Sequence, residues 1–183
     1  TLVTWMNDID QSQHTGNFTE GTVVNSGNST GVVDLAVADV DGNTGVEAIV
    51  ADDEQNIHVV ADNGSGTLVF DQTVSPSDPM DAASGYEIRR IAVGEFDGDA
   101  DSELLVLEGY NDGSNPQAQL AVYEFDASGT LQSTRASSTV LNGNTDKWAV
   151  GDIDADGNMD VAVQTAASTS AVEVWSNDGS GSF

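Results

Sequence analysis

The chain has no cysteine, which excludes disulfides and thiolate metal sites and says nothing about compartment. Basic residues are nearly missing: Lys147, Arg89, Arg90 and Arg135 face 31 acidic residues, for a formal net charge of −27. Such a surface repels phosphates, so nucleic acid is not expected as a partner. Proline is scarce, at 3 in 183 residues. No run approaches the roughly 18 apolar residues of a membrane-crossing helix, so no direct membrane insertion is expected. No basic-then-apolar leader opens the sequence. Its first residue is Thr1 rather than Met, as in a processed product or a piece of a longer chain. No Gly-rich phosphate loop precedes a helical pattern, so nucleotide binding is not expected either.

What is present is a strand-forming composition. The chain is 38% hydrophobic with 19 glycines, and Val, Thr, Ser, Asn and Asp dominate. These residues favour short strands joined by polar turns. The charge would oppose compaction at low salt and keep the protein soluble. At about 1 M salt the Debye length falls to about 3 Å and the repulsion is screened. Near-absence of Lys with abundant Asp resembles proteins of extreme halophiles, so a high-salt setting is expected. An acidic disordered chain is the rival reading, and the regular apolar runs argue against it.

Three acidic loops recur, beginning at Asp39, Glu95 and Asp152, 56 and 57 residues apart. Alternate positions offer oxygen ligands, as hard cations such as Ca²⁺ prefer. The first loop would use Asp39, Asp41, Asn43 and Glu47 with the Gly45 carbonyl. The second would use Glu95, Asp97, Asp99 and Glu103 with the Asp101 carbonyl. The third, and most regular, would use Asp152, Asp154, Asp156 and Asp160 with the Asn158 carbonyl. Gly42, Gly98 and Gly157 ease the sharp turns. The loops hold twelve carboxylates. Three divalent ions would leave the net charge near about −21, so metal binding does not account for the wider acidity.

A short apolar run stands on each side of every loop: Leu35–Ala38 and Ala48–Ala51, Ile91–Gly94 and Leu104–Leu107, Trp148–Gly151 and Val161–Val163. Each loop therefore reads as the tip of a β-hairpin. A third strand is expected at 57–61, 119–125 and 171–175. Aligned Gly-containing turns follow at Asn63–Leu68, Asp126–Leu131 and Asp178–Phe183, and then a fourth segment. The opening segment around Trp5 matches the closing segment around Trp175, so the chain starts and stops at one phase of the repeat. Four-stranded units of this size suit propeller blades. The expected fold is all-β: a β-propeller segment of three four-stranded antiparallel blades plus part of a fourth. Residues 1–18 would end a preceding blade, and 19–71, 72–131 and 132–183 would form blades A, B and C of one propeller domain. Three blades leave faces and edges open, so another chain segment or subunit is expected to complete the ring. A linear β-solenoid is the structural alternative.

The stretch Gly151–Val163 with its Asp-x-Asp-x-Asp-Gly core, ending in Asn177–Phe183, resembles an FG-GAP or VCBS repeat. These are the calcium-binding blades of integrin-alpha-like β-propellers. The resemblance covers nearly the whole chain in three copies. It implies a calcium hairpin on one face of each blade and an adhesive role at a cell surface. Glu at position 1 of the second loop, and at position 9 of the first two, departs from the pattern.

Other residues carry less. His14 and His58 lack a Ser–Asp or Glu-x-x-His context, and both read as surface or strand packing. Arg89-Arg90 is expected to pair with nearby loop carboxylates, with an anionic ligand as the alternative. Trp5, Trp148 and Trp175 are expected to pack between blades. Asn17, Asn28 and Asn63 fit the glycosylation acceptor pattern. Val74–Tyr86 and Gly109–Gln117 vary most between units and read as recognition loops. Paired carboxylates are too common to single out a glycosidase pair.

The expected function is a non-catalytic, calcium-stabilised module for recognition or adhesion, outside the cell. Its setting would be a haloarchaeal cell surface or the spike of a halophilic virus, with a surface glycoprotein or glycan as receptor. The alternative is the propeller domain of an extracellular enzyme acting on polysaccharide.

Overall fold

A computed structural model describes residues 2–7, 18–24, 31–43, 45–63, 67–76, 85–99, 101–111, 116–164 and 171–183. Among these residues there is no helix, and the fold is all-β. Thirteen strands form four antiparallel sheets. The first, a two-stranded sheet, joins β1 (Leu2–Asn7) to β2 (Phe18–Val24). Sheet 1 runs β3 (Val32–Ala38), β4 (Glu47–Asp52), β5 (Ile57–Asp62) and β6 (Leu68–Val74). Sheet 2 runs β7 (Glu87–Gly94), β8 (Glu103–Asn111), β9 (Pro116–Glu124) and β10 (Ser137–Val140). Sheet 3 runs β11 (Trp148–Gly151), β12 (Asp160–Gln164) and β13 (Val172–Trp175). Strands follow sequence order across each sheet, as hairpin-connected propeller blades do.

The third sheet has three strands among the described residues, and residues 176–183 turn back towards sheet 2. Sheet membership changes between β6 and β7 and between β10 and β11. Ser137–Val140 pairs with Val122–Gln119 and so closes the second sheet.

The sheets stack through two apolar layers. Ile49, Ala51, Ile57 and Val59 of sheet 1 meet Ile91, Leu104, Val106 and Tyr123 of sheet 2. The other face of sheet 2, with Leu105, Leu107, Leu120 and Val122, meets Val161 and Val163 of sheet 3, flanked by Trp148, Val150 and Trp175. This explains why Leu104–Leu107 is an unbroken apolar run: the middle sheet is covered on both faces, so its central strand shows no alternation. All four residues are fully buried. In the outer sheets, β13 and β3 alternate. In β13, Glu173 and Trp175 are half-buried against sheet 2, while Val172 and Val174 are 69% and 51% exposed. In β3, Leu35 and Val37 are 50% and 59% exposed on the face away from sheet 2. The inner strands β3 and β7 lie side by side, and Ile91 N donates to Asp34 Oδ2 at 3.0 Å.

Candidate metal centre

The hairpin tips between the first and second strands of sheets 1, 2 and 3 all point to one end of the stack, because β3, β7 and β11 each run into an acidic loop. In the first loop Asp39, Asp41 and Glu47 gather. In the second it is Glu95, Asp97 and Asp99, and in the third Asp152, Asp154 and Asp160. Each residue contributes a carboxylate oxygen lying within 4.8 Å of the others. Oxygens bound to one Ca²⁺ at 2.3–2.6 Å can be up to about 5 Å apart, so each group fits a single ion of that size. The donors are all carboxylate oxygens, the chemistry of a hard cation. Three clusters able to hold a metal ion are thus in place.

The remaining expected ligands fall differently. Asn43 Nδ2 donates to Asp41 Oδ2 at 2.8 Å and its backbone N–H to Asp41 Oδ1 at 2.8 Å. These bonds hold the Asp41 carboxyl below its ordinary range. Asn158 binds Asp156 in the same way, at 2.8 and 3.0 Å. Asp156 is therefore a turn anchor outside the gathered triad. Asp101 is exposed, and its N–H donates to Asp99 Oδ1 at 2.9 Å. Gly45 is exposed at φ 144°, a backbone state that favours glycine.

The closing acids serve a purpose that spacing alone did not show. Glu47 accepts Val40 N at 3.1 Å, Glu103 accepts Phe96 N, and Asp160 accepts Ile153 N at 2.8 Å. Each buried carboxylate pins the second residue of its own loop, so position 9 is a strut. Glu47 and Asp160 also reach their clusters. Glu103 does not belong to the gathered group of the second loop. Burial pushes its carboxyl up to about 8; the Phe96 N–H pulls down, and the charges of Asp97 and Glu95 add to the rise. Asp160 moves the other way, lowered chiefly by the Asn177 N–H. Asp97 and Asp154 are raised, first by desolvation and then by the charges of Asp99 and Asp156. A bound cation would relieve that crowding.

The Gly-containing turns cover the loops of the neighbouring sheet. The turn at 126–130 of sheet 2 sits on the first loop: a Cβ on Gly129 would approach Asp41 Cβ to 2.6 Å. Gln72 locks it, donating to Gly129 O at 2.7 Å and accepting Leu131 N at 3.0 Å. The turn at 178–182 of sheet 3 sits on the second loop. Gly181 N and Asn177 Nδ2 both donate to Phe96 O at 2.8 Å. Between the first loop and sheet 2 runs a cleft of about 320 Å³ lined by Asp39, Asp41, Asp101 and Asp126, so the whole end of the stack is acidic.

Residues 96–163 match the family of FG-GAP-like repeats. The match runs from Phe96 in the second loop through β8–β11 to Val163 in β12, and so takes in all of the third acidic loop and all but the first residue of the second. FG-GAP-like repeats form propellers, which agrees with these stacked antiparallel sheets. No curated protein matches the chain.

Several side chains outside the loops were not legible as a group. Glu108 is 1% exposed and accepts Tyr86 Oη at 3.0 Å, Tyr123 Oη at 2.7 Å and Gln119 Nε2 at 2.6 Å. Arg135 pairs with it at 2.8 Å. Burial, then the Glu108 charge, raises both phenols well above their ordinary value. Only the apolar context of Glu108, between Leu107 and Gly109, hinted at an interior carboxylate. His58 finds partners through sheet register: Asp52 at 2.9 Å on Nε2 and Thr73 at 2.9 Å on Nδ1. Asp52 also accepts Glu54 N and Asn56 N at 3.0 and 2.8 Å, so it anchors the β4–β5 turn.

Arg89 pairs with Glu87 at 2.6 Å rather than with a loop carboxylate, because it stands at the start of β7 and the loop at its end. Trp148 and Trp175 do pack between sheets. Asn63 is exposed at a turn, its N–H donating to Thr67 O at 3.0 Å. Asn17, Asn28 and His14, with most of the recognition stretches at 77–84 and 112–115, lie outside the described residues. No helix among the described residues is long and apolar enough to cross a membrane.

Proposed function

We propose that this is a non-catalytic, calcium-stabilised propeller module for recognition or adhesion at an extracellular surface. The observation that carries the reading is the set of three carboxylate clusters at one end of stacked sheets. Calcium would bridge each hairpin tip to its own strand ends and offset the carboxylate repulsion. The deficit of cations in a chain of net charge −27 supports a high-salt setting, such as a haloarchaeal surface or the spike of a virus that infects such cells. A surface glycoprotein or glycan is the receptor class that fits this setting.

The ring would be completed by another blade of the same repeat class. Ile57 and Val59 of sheet 1 and Leu120 and Val122 of sheet 2 are each buried by the next sheet. Val172 and Val174 occupy the corresponding register positions in sheet 3 and are exposed. An inner strand with large apolar residues two apart, like Ile91 and Val93 or Trp148 and Val150, is the complement this face takes.

Thermal unfolding in molar NaCl, with EDTA and then with excess CaCl₂, tests the metal. Chelation is expected to lower the melting temperature and calcium to restore it; an unchanged melt removes calcium from the reading. Labelled chain applied to cell envelopes tests recognition, with saturable, calcium-dependent binding expected. Light scattering tests the partner: the chain alone is expected to self-associate through its exposed face, and a Val174→Asp change to reduce this. A stable monomer with no affinity for further blades would falsify the partner.

A further inference from the structure

The strand ends opposite the acidic loops hold a cleft of about 510 Å³. It is lined by Val33 at the start of β3, Glu87–Arg90 at the start of β7, and Asn144–Asp146 just before β11. Three neighbouring inner strands therefore bring their first residues to one place. A strand rises about 3.3 Å per residue, which sets Arg90 roughly 15 Å or more from the second loop. The cleft contains two of the four basic residues in a chain of net charge −27.

These two arginines are not equivalent. Arg89 is 9% exposed and lies over Gly109, where a Cβ would collide with the guanidinium. Its Nε and Nη2 bind Glu87 at 2.7 and 2.6 Å. Its Nη1 binds Asn144 Oδ1, and Thr145 O at 2.7 Å. Arg89 is thus a scaffold that ties β7 to the segment before β11. Arg90 is half-buried and donates from Nη1 to Arg89 O at 2.6 Å. Among the described residues it forms no ion pair. A guanidinium offers five N–H donors in a planar fork, and this bond uses one of them beside a cleft that Arg90 lines. A β-bulge between Ile88 and Arg90 breaks the register there, and bulges re-aim side chains.

A carboxylate is the planar complement of such a fork. The surroundings narrow the choice. Glu87 and Asp146 flank the arginine, so a polyanion or a peptide with several acids would meet repulsion. Asn144 has amide donors left over, and exposed Asp146 is an acceptor, which suits hydroxyl groups beside one carboxylate. We propose that Arg90 anchors a binding subsite for a carboxylated sugar, a hexuronate unit of an acidic glycan. The proposal rests on the recognition reading and names its ligand class.

The test is titration of the isotope-labelled full chain, in calcium buffer, with sodium glucuronate, glucose and a short peptide containing aspartate. Glucuronate is expected to shift the amides of Arg90, Asn144 and Asp146 saturably, with glucose leaving them unmoved. Arg90→Ala is expected to weaken glucuronate binding by about tenfold or more. If that variant melts early, Arg90→Lys decides, since it keeps the charge and loses the fork. Equal response to glucose, unchanged affinity in a folded Arg90 variant, or saturation by the peptide but not by glucuronate would overturn the proposal. Continued binding of the chain to cell envelopes in those cases would reject the ligand class alone and leave recognition standing.

Discussion

The second and third acidic loops share a spacing and close in opposite ways. The third closes on Asp160, fully buried, with Oδ2 on Ile153 N and Oδ1 on Asn177 N. Two amide donors lower its carboxyl, and it still reaches Asp152 and Asp154. The second closes on Glu103, 1% exposed, with Oε2 on Phe96 N and its carboxyl pushed up to about 8. One extra methylene puts the acid in the interior without a second amide, beside Asp97 and Glu95. Position 9 is thus charged in one loop and inclined to protonate in the other. The regular spacing hides a difference in charge state, and that difference should rank the two sites as calcium binders.

The largest expected effect is from Asp160→Ala. It strips the partner from two buried N–H groups and removes a carboxylate from the cluster. Leaving buried donors unpaired costs about 1–3 kcal/mol each, so a loss of roughly 2–6 kcal/mol is expected in chemical denaturation. Glu103→Gln keeps a carbonyl acceptor for Phe96 N and removes an acid that resists ionising. Its stability should stay within about 1 kcal/mol of the parent at neutral pH. Equal losses in the two variants would break the comparison.

Calcium comes next. A ligand at a hundred times its Kd adds about 2.7 kcal/mol per site, so chelation should lower the melting temperature clearly. Asp154→Asn should remove more of the calcium-dependent shift than Asp97→Asn, because the third loop keeps its closing carboxylate in the cluster. Calorimetric titration of the two variants checks the order, and the reverse order would show that Glu103 yields its proton readily to the metal.

The pH response is smaller and sharper. In calcium-free solution the folded chain holds a proton on Glu103 up to about 8, whereas the unfolded chain releases it near the ordinary value of 4.5. Between those values the folded state binds more protons, so this residue's contribution to stability falls as pH rises. Asp160 has the opposite sign: its contribution is present above the ordinary carboxylate value and fades as pH falls through its lowered one. Denaturation midpoints measured across that window should flatten in Glu103→Gln, and a slope unchanged by the substitution would place the titration elsewhere.

The repeat itself was plain from the sequence, because the period of the acidic loops and the apolar runs beside them survive in one dimension. Hairpin tips at Asp39, Glu95 and Asp152, and the two strands that follow each loop, could be read directly. The struts were less legible. Glu103 and Asp160 look alike in spacing, and only burial separates a ligand from an amide acceptor. Glu108 was hidden because its partners Tyr86, Gln119, Tyr123 and Arg135 come from three separated stretches, joined only by sheet register and packing. The Arg89–Arg90 pair is visible in the sequence, but its partners depend on which end of the strand it occupies. Four residues of β7, Ile91–Gly94, separate it from the loop carboxylates.

The last variant, Asn177→Ala, probes how the two loops are joined. Asn177 N holds Asp160 Oδ1 at 2.9 Å and Asn177 Nδ2 holds Phe96 O at 2.8 Å, so one residue spans the third and second loops. The substitution removes the two side-chain bonds, to Phe96 O and from Gly179 N at 3.1 Å. Phe96 O keeps Gly181 N at 2.8 Å, and Asp160 keeps its backbone donor. A cost of about 0.5–1.5 kcal/mol per bond is expected. If the loops act as one acidic surface, this variant should also loosen the coupling between them. The calcium-dependent stabilisation lost in Asp154→Asn and in Asp97→Asn should then add independently in the Asn177→Ala background. In the parent the two losses should depart from additivity, because a strained third loop pulls on Phe96. Additive losses in both backgrounds would mean that each hairpin binds its ion alone, with the turn at 178–182 serving packing only.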